Sequence, residues 1–225
     1  MFNKSSKKIE FRPRNFGFDI LQPKPATTFI PDWYKRTPIT KESVLTAKRC
    51  VPILDALGAG YTIPLPTDVV WDWEKQPKPY EYAAKTEIVS MHHFAQTDEF
   101  ELSEAYDPQP YKWISQWHIK TPPGYSTLFV HPINRTELPF LSFTGLVDTD
   151  KHPIIVNFPF FIKKGFRGVI PKGTPMIQAI PVKRDEWEMQ MKDMDKDHRY
   201  VKEYEVTNAP FAWYKRNFWT KKKYQ

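Results

Sequence analysis

Apolar and polar positions alternate along much of this chain, with the period of a strand rather than of a helix. Val69, Trp71 and Trp73 share one face of an extended segment over 68–73. From residue 87 onward the signal repeats, and strands are predicted over 87–94, 113–120, 125–130, 141–147, 154–161, 166–170 and 176–182. Thr121-Pro122-Pro123-Gly124 supplies a turn within the series. Many short strands separated by turn residues predict a sandwich or barrel, not a doubly wound sheet.

Helical signals are fewer. Pro31-Asp32-Trp33-Tyr34-Lys35 reads as a turn leading into a short helix. Residues 40–48 read as another, capped by Thr40, with Val44, Leu45 and Ala47 on an apolar side. Residues 183–200 read as a charged helix with Trp187, Met191 and Met194 on one face, a stripe of the kind that packs on a core. Phe16, Phe18, Ile20 and Leu21 alternate in part, as a short strand would. An apolar run over 51–57 stops at Gly58-Ala59-Gly60, and an extended segment follows over 61–66. The chain therefore divides into an N-terminal arm with short helices (1–50), a β core (51–184), and a C-terminal helix with a basic, aromatic tail (185–225).

Composition sharpens this picture. The 22 prolines outnumber 8 glycines, so the elements are short and joined by rigid, extended connections. The one cysteine, Cys50, excludes a disulfide framework and a multi-thiolate metal site, and it fits a reducing, cytoplasmic setting. Lying beside Arg49 and before an apolar run, Cys50 reads as buried. No apolar run approaches 18 residues, so no membrane span is predicted, and the polar start lacks the apolar region of a secretory signal. The net charge of +7 is concentrated at the ends. Lys4, Lys7, Lys8, Arg12 and Arg14 face Glu10 alone, and Lys215, Arg216, Lys221, Lys222 and Lys223 face no acid. Such ends serve either polyanion contact or simple solvation.

Candidate chemistry centres on Gly145-Leu146-Val147-Asp148-Thr149-Asp150, which puts a carboxylate at a strand-to-turn corner where it can hold or activate a water. His92, His118 and His131 fall on predicted strands or their ends, with Glu99, Glu101 and Asp148 as available carboxylates. No His-x-Asp pair with a distant His has the spacing of a non-haem iron site, and the histidines read as hydrogen-bonded side chains. The chain has neither a Gly-x-Ser-x-Gly elbow nor a Gly-rich phosphate loop.

Four segments, in order, resemble the dUTPase and dCTP-deaminase superfamily over roughly residues 56–184. Ala59-Gly60-Tyr61-Thr62-Ile63 resembles its Ala-Gly-Tyr-Asp-Leu motif, and Pro122-Pro123-Gly124-Tyr125 resembles its Pro-x-Gly-Tyr strand. Residues 145–150 resemble its Gly-Leu-Ile-Asp-Ser-Asp motif, and Gly173 and Gln178 match the spacing of Ile-x-x-Gly-x-x-Ile-Ala-Gln. The resemblance implies a mainly β fold with a β-clip core, a distorted barrel or sandwich carrying short helices and extended terminal arms. It implies Asp148 as the water-activating or sugar-contacting residue, Gln178 as pocket support, and Tyr61 and Asp150 as further substrate contacts. Departures accompany it. Thr62 replaces the acid of the first motif, and Lys151 and Pro153 replace a Tyr and a Gly of the third. His131-Pro132-Ile133-Asn134-Arg135 stands where an Arg-Ser-Gly phosphate motif belongs, and the Gly-rich C-terminal arm is missing. Arg135 is the candidate replacement for the phosphate-binding arginine.

The chain also resembles Pro-rich, Trp-rich proteins of tailed phages. Together these resemblances imply a phage-type protein with a degenerate dUTPase-like core that binds a nucleotide or acts as a divergent nucleotide hydrolase, the latter with Mg2+. No other cofactor is implied, and the family's trimers imply a homo-oligomer. Two alternatives stand beside this. One is a non-enzymatic structural or host-interaction protein using the β core as scaffold. The other is single-stranded nucleic-acid binding through Trp213, Tyr214, Phe218 and Trp219 in the basic tail.

Overall fold

The structure, a computed structural model, describes residues 7–14, 20–42, 44–192 and 213–225. In chain order the elements begin with β1 (Glu10–Pro13), β2 (Lys24–Pro25), α1 (Asp32–Arg36), β3 (Thr40–Lys41), β4 (Val44–Leu45) and α2 (Val51–Leu57). Next come β5 (Tyr61–Pro64), β6 (Val69–Trp71), β7 (Tyr80–Glu81), β8 (Val89–Met91), β9 (Tyr111–Trp113), β10 (Trp117–Lys120) and β11 (Tyr125–Val130). The chain then forms β12 (Phe140–Ser142), β13 (Gly145–Val147), β14 (Phe158–Ile162), β15 (Gly168–Ile170), β16 (Pro175–Lys183) and α3 (Trp213–Asn217). The protein is mainly β, as its alternation predicts, and every named strand pairing is antiparallel.

The central sheet has the order β13-β11-β16-β5-β2. Its long member is β16, which pairs with β11 from Tyr125↔Lys183 to Val130↔Gln178 and with β5 on its other side. Pro181 falls where β16 has outrun β5 and has a partner on one side only, so its missing N–H is tolerated. The sheets β12-β14-β9-β8 and β15-β6-β7 close over the same core. Aromatic side chains fill it, because short strands bury enough area only if each inward position is large. Trp113 stacks on Phe160 at 3.8 Å between centroids, and Trp71 meets Tyr111 edge-to-face at 4.8 Å. Ile63, Phe129 and Ile177 face these rings from the central sheet.

Several expectations are corrected. Residues 40–48 form no helix: β3 and β4 pair in the register Thr40↔Leu45 and Lys41↔Val44, followed by a 3-10 turn over Ala47–Arg49. Glu42 has φ +48° between the two strands, a turn conformation that a helix cannot contain, and β-branched Thr40 favours the extended chain. Cys50 is exposed. Its backbone is what the fold uses, since its carbonyl accepts the Ile53 N–H and opens α2, leaving the thiol outside. The expected strand over 141–147 is two strands in two sheets, β12 and β13, and residues 154–157 precede β14 without joining it.

The helix expected over 183–200 is absent from its described part, 183–192, whose first residue, Lys183, ends β16. Residues 185–192 have no regular secondary structure, and Trp187, Met189 and Met191 are 89%, 86% and 87% exposed. Trp187 and Met191 of the expected stripe are therefore not core contacts. Met194 lies outside the described residues, as do Phe16 and Phe18 of the expected N-terminal strand. The N-terminal segment lies against the core. β1 pairs with β10, β2 with β5, and Ala26 and Tyr34 are buried. Among the described residues no helix is long and apolar enough to cross a membrane.

Candidate functional site

The segments carrying the four motifs are neighbours. Tyr61, Tyr125, Gly145 and Gln178 stand on β5, β11, β13 and β16 of the central sheet. The candidate residues nevertheless separate into two groups at opposite ends of β11.

At the first end β13 stops at Val147 and the chain turns, with the Asp148 carbonyl accepting the Lys151 N–H (2.9 Å) and the His152 N–H (2.8 Å). The Thr149 hydroxyl is buried and meets those of Thr121 and Thr127, each at 2.7 Å, which pins the turn to β11. Asp148 and Asp150 therefore project on either side of Arg184. Asp148 accepts from the Ser126 hydroxyl at 2.6 Å and faces Arg184 Nη1 at 3.1 Å. The Asp150 carboxylate, 4% exposed, accepts the Gly124 N–H at 2.8 Å and Arg184 Nη1 at 2.8 Å, and Arg184 Nη2 completes a bidentate pair.

This environment decides what the two acids can do. The Ser126 hydroxyl, aided by Arg184, holds Asp148 below the usual carboxylate range. The Arg184 hydrogen bonds, with the Gly124 N–H, hold Asp150 far below it. A carboxylate stabilised as an anion is a poor proton acceptor, so the cluster favours a structural clasp over a general base.

The clasp predicts a pH signature. A carboxylate whose folded pKa is depressed contributes stability above its unfolded pKa of about 4, and that contribution drains as pH falls below it. Asp150→Asn therefore lowers the thermal midpoint by several degrees at neutral pH, and its gap to the native chain closes as pH falls below about 4. Melting curves across that range check this. A gap that stays constant with pH would show that the pair is not the source.

At the other end of β11, a strand length of roughly 13 Å away, lie Gln178 and Arg135. Gln178 is 2% exposed and fully committed to backbone. Its Oε1 accepts the Ile133 N–H (3.1 Å), and its Nε2 donates to the carbonyls of Ala56 (3.1 Å) and Ala59 (2.6 Å). It braces three chain segments. Tyr61 is committed too: its hydroxyl donates to the Gln225 carbonyl at 3.0 Å, and its ring meets Phe11 and Tyr224 edge-on. His131 accepts the Ser142 N–H at Nδ1 and donates to the Arg135 carbonyl from Nε2, so both of its nitrogens are used and burial holds its pKa down.

Arg135 is the candidate that lines an open cleft, of about 620 Å3, between 28–36 of the N-terminal segment and the turns 135–138 and 172–175. Its side chain is 17% exposed. Nη1 donates to the Phe29 carbonyl at 3.1 Å and Nε to Glu137, while Nη2 has no partner among the described residues. Lys35, Arg36 and Lys172 add three cations to the lining, and Trp33 and Phe29 add aromatic walls. The Trp33 indole N–H is fixed to the Asn134 carbonyl at 3.1 Å, which locks α1 against the loop carrying Arg135. The cleft's acids, Asp32 and Glu137, are each paired, with Lys35 and Arg135.

Among the described residues no three His, Cys, Asp or Glu side chains gather as metal ligands. Sequence reasoning found Arg135 but not Trp33, Arg36 or Lys172, since no local pattern signals that segments more than a hundred residues apart share a cleft. No family model, no curated protein and no solved structure matches this chain.

Proposed function

We propose that this protein binds a nucleotide, or a phosphorylated ligand of that size, in the Arg135 cleft, on a β core of degenerate dUTPase-like architecture. The observation that carries the reading is the unengaged Nη2 of Arg135 in a cleft with three more cations and an aromatic wall. A guanidinium binds phosphate through paired N–H groups, and a base stacks on an aromatic face. The adjacency of the four motif segments in one sheet supports the architectural part. Binding is favoured over hydrolysis because Asp148 lies at the far end of β11 and is held as a weak base.

Thermal shift with a panel of deoxynucleoside triphosphates and inorganic triphosphate tests this. At a hundredfold excess over Kd the gain is about 2.7 kcal/mol, a rise of roughly 5–10 °C in the midpoint. Arg135→Ala weakens binding at least about tenfold, the usual loss for a charged hydrogen bond. Lys172→Ala, at an exposed position, does so without touching the Phe29 contact. No shift with any of these compounds, or unchanged affinity in both variants, rejects the reading.

A further inference from the structure

The tail is anchored to its own core, and the anchoring builds a second cleft. Asp55 of α2 accepts the Trp219 indole N–H at 2.8 Å and the Lys222 ammonium at 2.6 Å. Tyr61 holds the Gln225 carbonyl and packs on Tyr224. This brings α3 beside the 3-10 turn over Ala47–Arg49. A recess of about 500 Å3 opens between them, lined by Lys48 and Arg49 from one side and Lys215 and Arg216 from the other, over Tyr34, Val51 and Leu54.

Among the described residues that line this recess none is acidic. Four like charges drawn together repel one another and raise the local concentration of anions. Each half is unremarkable alone; the concentration of charge appears only when the tail is docked. Tyr214 and Phe218, 43% and 45% exposed, stand four residues apart beside Lys215 and Arg216. Phosphate-binding cations interleaved with exposed aromatic faces suit a single strand, whose bases are free to stack. A duplex keeps its base faces covered.

We propose that this recess is a composite site for single-stranded nucleic acid, half of it supplied by residues 48–49 and half by the tail that Asp55 docks. The site is independent of the Arg135 cleft. Because the tail must dock to complete it, docking and strand binding are linked: the strand stabilises the docked tail, and undocking weakens the strand.

Fluorescence anisotropy of a labelled 15-nucleotide oligo(dT) with the full chain tests the proposal. The logarithmic salt dependence has a slope of about −3, from four phosphate contacts at roughly 0.7 each. Lys48→Ala/Arg49→Ala and Lys215→Ala/Arg216→Ala each weaken binding at least about tenfold and roughly halve that slope. Asp55→Ala is the decisive variant. It removes a negative charge, so unspecific attraction would strengthen binding, whereas loss of the docked tail weakens it about tenfold. Trp219→Ala undocks the tail without altering α2 and gives the same loss. Arg135→Ala leaves oligonucleotide affinity unchanged, which separates this site from the nucleotide reading. Unchanged or tighter binding in both Asp55→Ala and Trp219→Ala overturns the proposal. So does a duplex binding as tightly as the single strand, or full affinity in Lys48→Ala/Arg49→Ala.

Discussion

Gly60→Ala lowers the thermal midpoint by roughly 10 °C or more, a loss on the order of 4 kcal/mol in a chain of this size. Gly60 has φ +68°, a left-handed conformation that a side chain resists, but that strain is the smaller part. A Cβ built there would lie 2.1 Å from the Ala179 carbonyl oxygen and 2.9 Å from the Ile180 Cα, both backbone atoms of β16. Neither atom can rotate aside, so β5 and β16 would have to separate where Tyr61 pairs with Ala179. The Ala26 N–H, which donates to the Gly60 carbonyl at 3.0 Å, would be lost with them. Gly124→Ala is the control. Gly124 also has a positive φ, +82°, but nothing lies within 4 Å of its built Cβ. It therefore loses only the backbone term, about 1 kcal/mol. Equal losses in the two variants would show that conformational strain, not the approach of β16, is what Gly60 relieves.

Gln178→Leu costs about 4 kcal/mol, read as a lower urea midpoint at an unchanged slope. The substitution keeps the volume and removes the amide. It strands the Ile133 N–H and the Ala59 carbonyl, each costing roughly 1–3 kcal/mol if left unpaired in the interior, and takes one donor from the Ala56 carbonyl, which keeps the Ala59 N–H at 3.3 Å. Those groups belong to the loop that carries Arg135 and to the turn between α2 and β5. Gln178 is thus a positioning residue: it sets the walls of the Arg135 cleft without lining it. A loss below about 1 kcal/mol would mean that the Ile133 N–H and the Ala59 carbonyl find other partners.

Both substitutions fall in the motif segments of the central sheet and its entry, and in this structure both residues act on backbone. Gly60 allows two strands to approach, and Gln178 ties three segments together. The same holds for Asp150, whose carboxylate closes on Arg184 and the Gly124 N–H. These motif residues thus act here as fasteners of the central sheet.

Much of this was legible in the chain itself. The alternation of apolar residues determined the class, because a period of two buries one face of a strand whatever lies opposite. It located β6, β11 and β16 closely, and Pro31-Asp32 correctly opened α1. Local pattern failed where the partner decided the outcome. Residues 40–48 have an apolar side at helical spacing but fold into a hairpin, and Trp187 with Met191 matched a helical face on a segment that touches no core. The arms illustrate the same point. Their basic and aromatic composition was evident in the sequence, but docking of the tail depends on Asp55 and Tyr61, more than 150 residues upstream. The candidate site divided in the same way. Arg135, Gln178, Tyr61, Asp148 and Asp150 could be named from the sequence, and their side chains do take specific roles. Which of them share a cavity depends on the direction of β11, which carries the Asp148 corner to one end and Arg135 to the other. Residue type and period fix what a segment can bury or bind; only the long-range pairing of strands fixes which segments meet, and that pairing places Arg135, Trp33, Arg36 and Lys172 around one cleft.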